Sequence, residues 1–193
     1  MYKRQSLFYI RNFDQIKLLG STCDDACGET FDKVAKILDL GYPGGPLIEQ
    51  MARKGNSCKI KFGCGNTDNP LDFSFSGIKT AVLYKTRDQR PETRDQKADV
   101  AASFQETAID TLIKKSFLAC KYKNTPRLVV GGGVIANARL REKFMQEAKV
   151  EGIDCYFPLK EFCTDNAAMV AGFGYQLFKK GHRSNLNLSV DLN

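Results

Sequence analysis

Leu128-Val-Val-Gly-Gly-Gly-Val-Ile-Ala-Asn-Ala-Arg-Leu140 runs a short apolar segment straight into three glycines and on into a helical pattern continued by Phe144. A buried strand that turns sharply into a helix is a building unit of α/β folds. Glycines let an anion approach the backbone, and the first N–H groups of a helix are unpaired donors at its positive end. The unit therefore reads as a phosphate or oxyanion cradle, or simply as a tight strand–helix turn. Gly131-x-Gly133-x-x-Ala136 also fits a dinucleotide fingerprint with alanine in last place. That reading wants an acid about 20 residues on, at the end of the next strand. Asp154 has the distance but precedes its strand, so the dinucleotide reading fails.

Working outward, Cys155–Phe157 predicts a strand, and Thr164 or Asp165 starts a small-residue helix that reaches Phe178. Thr164-Asp165-Asn166 is either an ordinary cap or a carboxylate held at the strand's C-terminal edge, where α/β ligands and metals sit. Upstream, Val100, Ala101, Phe104, Ala108 and Leu112 give Asp99–Tyr122 one buried face and make it the longest helix. Lys85–Lys97 carries eight charges in thirteen residues and no apolar face, which predicts an exposed connector. Asp72-Phe-Ser-Phe-Ser76 alternates like a strand, with Ser76 placed to cap a helix through Lys79 and Leu83. Residues 54–72 read as loop, Leu47–Arg53 as a short helix, and Gly41–Pro46 as the turn before it.

In the first quarter, Phe31, Val34, Ala35 and Leu38 repeat at helical spacing and predict a helix over Asp24–Leu40. Asp25, Glu29 and Asp32 fall within about 60° of one another on a different face. Spacing alone favours a solvated face complementing the helix dipole over a binding role. Leu7–Ile10 and Ile16–Leu19 predict a hairpin around Arg11-Asn-Phe-Asp14. Strands alternating with helices make the class α/β.

The 193 residues suit one domain or two small ones. A formal charge of +7 suits a polyanion such as RNA, or merely a well-solvated surface. Seven cysteines without zinc-ribbon spacing, and His182 as the single histidine, predict reduced, mostly buried thiols. No apolar run approaches the ~18 residues of a membrane helix, and Leu7–Ile10 is too short for a signal-peptide core, so a cytoplasmic protein is expected.

Leu18-Leu-Gly-Ser-Thr-Cys-Asp-Asp-Ala-Cys-Gly-Glu-Thr-Phe-Asp-Lys and its continuation to Pro46 closely resemble the tRNA threonylcarbamoyladenosine synthase family, the threonylcarbamoyltransferases. Asp72–Thr80, Gly132–Asn137, Leu140-Arg141 and Cys163–Asn166 agree in the same order. The resemblance runs from Leu7 toward the C-terminus; residues 1–6 fall outside it. It implies an actin-like, sugar-kinase-like (ribonuclease-H-like) ATPase fold of two lobes with the ligand between them. It implies transfer of a threonylcarbamoyl group from threonylcarbamoyl-AMP to the exocyclic amine of the adenosine beside the anticodon of tRNAs reading ANN codons. Asp32 resembles the residue that binds the adenylate's ribose, and Gly45 the loop against the nucleoside. Glu49 stands where many members carry a second ribose-binding Asp. Asn137 resembles a further nucleotide contact, and Asp165 a ligand of one divalent ion of the iron or zinc kind. The expected partners are tRNA, threonylcarbamoyl-AMP, a paralogous dimer partner and ATPase subunits, with Arg87, Arg90, Arg94, Lys114, Lys115, Arg139 and Arg141 as candidate phosphate contacts.

The family's His-x-x-x-His metal helix and its Ser-Gly-Gly-His-Thr acyl-phosphate loop lie upstream of the matched region. The chain is therefore expected to be the C-terminal portion of a two-lobed enzyme, with much of the N-terminal lobe absent and an incomplete metal set. Two alternatives stand beside it: an inactive binding module of the same complex, and an actin-like or sugar-kinase-like ATPase. A metalloprotease is disfavoured because no H-E-x-x-H motif is present.

Overall fold

The computed structural model describes residues 5–88 and 93–185. Strands β1 (Ser6–Asn12) and β2 (Gln15–Ser21) form the expected antiparallel hairpin. Asn12 Oδ1 accepts from the N–H groups of Asp14 and Gln15 and fixes its turn. Helix α1 (Cys27–Ile37) buries Phe31, Val34 and Ala35 as the spacing predicts, with Leu38 buried just beyond it. It starts later than expected, leaving Asp24 and Asp25 in front of it.

Those two acids do something spacing did not show. The Asp24 carboxylate accepts from the N–H groups of Phe75 (2.8 Å) and Ser76 (3.2 Å) and from the hydroxyls of Ser74 and Ser76 (2.6 Å each). It thereby caps α3 (Ser76–Asp88) from fifty-two residues away, where Ser76 alone was expected to serve. Asp25 binds Lys33 (2.6 Å) and Lys79 (3.0 Å), and Glu29 also binds Lys33 (2.7 Å). Asp25 and Glu29 thus share Lys33, an ion-paired cluster where spacing alone favoured a solvated face. Asp72–Ser76 is not a full strand: only Phe73 bridges, to Thr22, because the chain from Ser74 is drawn into the start of α3. Its alternation is nevertheless real, since Phe73 and Phe75 are both fully buried.

Helix α2 (Gly44–Ala52) begins three residues before the expected start at Leu47. Helix α4 (Arg94–Lys123) opens with a Thr93–Gln96 capping box. The charged connector is thus shorter than expected, because α3 and α4 take up its two ends. Helix α4 is the central element, packed by α2, α3 and α5 (Ala138–Glu151), with the Phe104 ring 4.9 Å from that of Phe31.

Strand β3 (Arg127–Val129), a 3-10 turn over Gly133–Ala136, α5 and β4 (Asp154–Tyr156) form a βαβ unit with parallel strands. Helix α6 (Ala167–Lys179) is capped by Asn166, not by Thr164 or Asp165. The class is α/β, but strands do not alternate with helices throughout. Helices α1 to α4 follow one another, and the described strands form two separate pairs. None of α6's residues is buried, and Val170 is 74% exposed. Of the seven free thiols, Cys27, Cys120 and Cys163 are buried while Cys23 and Cys58 are exposed, so burial is less general than expected. Among the described residues no helix is long and apolar enough to cross a membrane.

Candidate nucleotide site

Asp32 lies on α1 one turn beyond Gly28, and its Oδ1 accepts the N–H of Gly44, the first residue of α2, at 2.8 Å. The approach requires glycine: a Cβ at Gly44 would sit 2.6 Å from Asp32 Cα and from the Phe31 carbonyl oxygen. Gly45, next along, faces open space, with no atom within 4 Å of where its Cβ would be. One turn further, Glu49 Oε1 accepts from Arg53 (2.8 Å) and from the N–H of Ala138 (3.3 Å) at the start of α5. Asn137 immediately precedes Ala138. Its Oδ1 caps α5 by accepting from Leu140 N–H (3.0 Å), and its Nδ2 donates to Gln105 Oε1 (2.7 Å). Two hydrogen bonds, Gly44 to Asp32 and Ala138 to Glu49, therefore bring Asp32, Gly45, Glu49 and Asn137 to one place.

The glycine turn borders the same place. A Cβ on Gly131 or Gly132 would meet nothing within 4 Å, and Gly132 holds a φ of +99°. The Gly133 position lies 3.9 Å from the Thr164 methyl, and that of Gly28 lies 3.2 Å from Val134. The turn thus sits between the first turn of α1 and Thr164-Asp165. The expected cradle is altered at one point. Ala138 and Leu140 already give their N–H groups to Glu49 and Asn137, so two of the first-turn donors of α5 are taken and the glycine turn is the more open source.

Asp165 is exposed beside that turn. A metal ion needs about four donors, each roughly 2 Å away. Among the described residues no three His, Cys, Asp or Glu side chains converge, and His182 is exposed beyond the end of α6. Asp165 can give one oxygen; the described donor set does not fit a metal centre.

Helix α5 is held by a second set of contacts. Glu106 on α4 grips Arg139 through both carboxylate oxygens (2.8 and 3.1 Å) and Lys143 at 2.7 Å, and Lys143 also meets Asp110. Arg141 donates to the carbonyls of Ile135 (2.6 Å) and Pro158 (2.8 Å) and to Cys163 Sγ (3.2 Å). Arg139 and Arg141 are thus engaged in contacts within the chain, although the Arg139 side chain remains 37% exposed. Lys115 likewise donates to Thr67 and Pro70. Arg87, Arg94 and Lys114 are exposed, while Arg90 lies outside the described residues.

Acid sensitivity follows from these contacts. At Asp24 and Asp25 partial burial opposes ionisation, but hydrogen bonds from Ser74 and Ser76, and from Lys33 and Lys79, outweigh it and lower both pKa values. At Glu106 the bond from Arg139 leads, burial opposes it, and the result is again lowered. A depressed folded pKa stabilises above the unfolded value, and that contribution disappears as pH falls through the folded value. With ordinary values of 3.8 and 4.5, the urea midpoint is expected to hold above about pH 5 and fall toward pH 3. The fall should be shallower in Glu106→Gln; an identical profile in that variant would contradict the assignment.

Sequence reasoning missed Gln105, Glu106 and Gly44. Gln105 left a signal: a polar residue four places from both Ala101 and Ile109, on the buried face of α4. Gly44 and Glu106 left none.

The model of the tRNA N6-adenosine threonylcarbamoyltransferase family matches residues 3–172. The chain belongs to this family. Family members of that name include one from Dictyoglomus turgidum, 49% identical over 180 residues, covering 91% of this chain and 52% of the relative. Another, from Clostridium botulinum strain 657, is 44% identical over 186 residues, covering 95% and 55%. A third, from Syntrophus aciditrophicus, is 42% identical over 186 residues, covering 96% and 55%. The chain spans about half the length of the curated relatives it matches. Among solved structures, that of T. kodakarensis HypF superposes with a TM-score of 0.62 at 18% identity, covering 81% of this chain and 20% of that one. The fold of this chain is thus shared with part of that protein.

Proposed function

We propose that this chain forms the adenylate-binding part of a tRNA N6-adenosine threonylcarbamoyltransferase, built on an actin-like, sugar-kinase-like scaffold. Family membership supports the reading, and the observation that carries it is the pair of hydrogen bonds joining α1 to α2 and α2 to α5. Each of the two carboxylates has one oxygen fixed by a backbone N–H. Oδ2 of Asp32 and Oε2 of Glu49 accept no hydrogen bond among the described residues, which leaves them to accept from ribose hydroxyls. The extra methylene of Glu49 is taken up in reaching Ala138. Gly45 offers open backbone for a nucleoside, and the glycine turn offers N–H donors for a phosphate.

The acceptor is the adenosine amine next to the anticodon, and the acyl donor threonylcarbamoyl-AMP. That amine is a weak nucleophile because its lone pair is delocalised into the ring. This chain's contribution is to hold the adenylate so that the acyl carbon meets the amine in a fixed orientation. Asp165 would give one oxygen to a divalent ion whose other donors come from outside the described residues. A tRNA, a paralogous dimer partner and ATPase subunits complete the working assembly, which is expected in the cytoplasm.

Calorimetric titration of the chain with threonylcarbamoyl-AMP tests the reading. Saturable binding is expected, weakened about tenfold or more in Asp32→Ala, the loss of one charge-assisted hydrogen bond. Equal binding by both proteins, or none by either, would overturn it. A second reading is a binding module without turnover. Single-turnover transfer to tRNA separates the two.

A further inference from the structure

Gln105 is 5% exposed and stands on the buried face of α4, between Ala101 and Ile109. A buried amide is costly unless its polar atoms are bonded, so an apolar side chain would suit that face better unless the bond matters. Its Oε1 accepts from Nδ2 of Asn137 at 2.7 Å, and Asn137 is itself 8% exposed. Asn137 Oδ1 accepts from Leu140 N–H at 3.0 Å. The two contacts demand the same amide orientation. Turned over, the Asn137 NH2 would face the Leu140 N–H, and its oxygen would face Gln105 Oε1. Glu106, next in the chain, holds Arg139 and Lys143, so adjacent residues of α4 grip the first turns of α5.

We propose that Gln105 is a positioning residue of the nucleotide site: it fixes which way the Asn137 amide faces, leaving that amide's second N–H and its remaining carbonyl lone pair for the ligand. The proposal rests on the reading that Asn137 contacts the adenylate.

The test is a double-mutant cycle, with AMP titrated calorimetrically into the unsubstituted chain, Gln105→Met, Asn137→Ala and the double variant. Thermal unfolding is recorded for each. The expected result is a Kd about tenfold higher in each single variant and no higher in the double, since both remove one arrangement. Gln105→Glu keeps an acceptor and should restore binding to within about twofold of the unsubstituted chain. A lowered unfolding temperature in Gln105→Met with unchanged Kd, beside a weakened Asn137→Ala, would show a purely structural role and overturn the proposal alone. Additive losses would overturn it too. An unchanged Kd in Asn137→Ala, or no AMP binding by the unsubstituted chain at millimolar concentration, would remove the reading beneath it and the proposal together. Should Gln105→Met fail to fold, Gln105→Asn withdraws the acceptor by one methylene. It should weaken AMP binding similarly, and full affinity in that variant would overturn the proposal.

Discussion

Phe104→Ala is expected to destabilise the chain by about 3–5 kcal/mol, the range for truncating a fully buried aromatic ring. Phe104 is 0% exposed at the middle of α4 and meets Phe31 of α1 edge to face, with centroids 4.9 Å apart. Removing the ring forfeits its transfer free energy and leaves a cavity between helices that cannot close freely. Helix α1 is tied to α2 by the Asp32–Gly44 bond, and α4 to α5 by Glu106. The ring pair also bears on function, because the next residue after each ring belongs to the site: Asp32 after Phe31, Gln105 after Phe104. Urea unfolding followed by far-UV circular dichroism measures the loss. A cost below about 1.5 kcal/mol would mean that the site collapses around the gap, as a loosely packed interface would.

Much of this fold was legible in the sequence wherever one helix face was apolar. Helix α1's buried side, the buried face of α4 and the strand–glycine–helix unit were legible, because core burial imposes periodicity, whereas α4 starts five residues before the expected Asp99. What was not legible depended on contacts between distant residues. Asp24 caps α3 across fifty-two positions, and the alternation at Phe73 and Phe75 buries both rings although the segment gains only one bridge. Local pattern could not separate a buried alternating segment from a paired strand. The site divides in the same way. Asp32, Gly45, Glu49 and Asn137 were named through family resemblance, since spacing alone favoured a solvated acidic face over a binding role. The backbone N–H groups that join these residues belong to Gly44 and Ala138, whose side chains advertise nothing. Gln105 was legible in principle, as the one amide in an otherwise apolar stripe.

Gly44→Ala and Gly45→Ala, neighbours of identical chemistry, should behave in opposite ways. At Gly44 the added methyl would lie 2.6 Å from Asp32 Cα and the Phe31 carbonyl oxygen, and 2.8 Å from Ala35 Cβ. Two of these atoms are backbone in the middle of α1 and cannot rotate aside, so α2 must move off. The expected cost is about 3 kcal/mol, at the upper end for overpacking because no flexible side chain can yield. The same movement stretches the 2.8 Å bond that fixes Asp32 Oδ1. Threonylcarbamoyl-AMP binding should therefore weaken by more than about tenfold even at temperatures where the variant is fully folded. At Gly45 the methyl would meet no atom within 4 Å, and its φ is not in the left-handed region. Stability should stay the same or rise by a few tenths of a kcal/mol, since alanine is the better helix former and narrows the unfolded ensemble. Affinity should nevertheless fall, because the methyl occupies the backbone surface assigned to the nucleoside. Unfolding curves and titrations of the two variants side by side separate packing from recognition. If Gly45→Ala binds as tightly as the unsubstituted chain, the nucleoside does not lie against that turn. If Gly44→Ala keeps full stability, α2 does not sit on α1 as closely as the Asp32 contact requires.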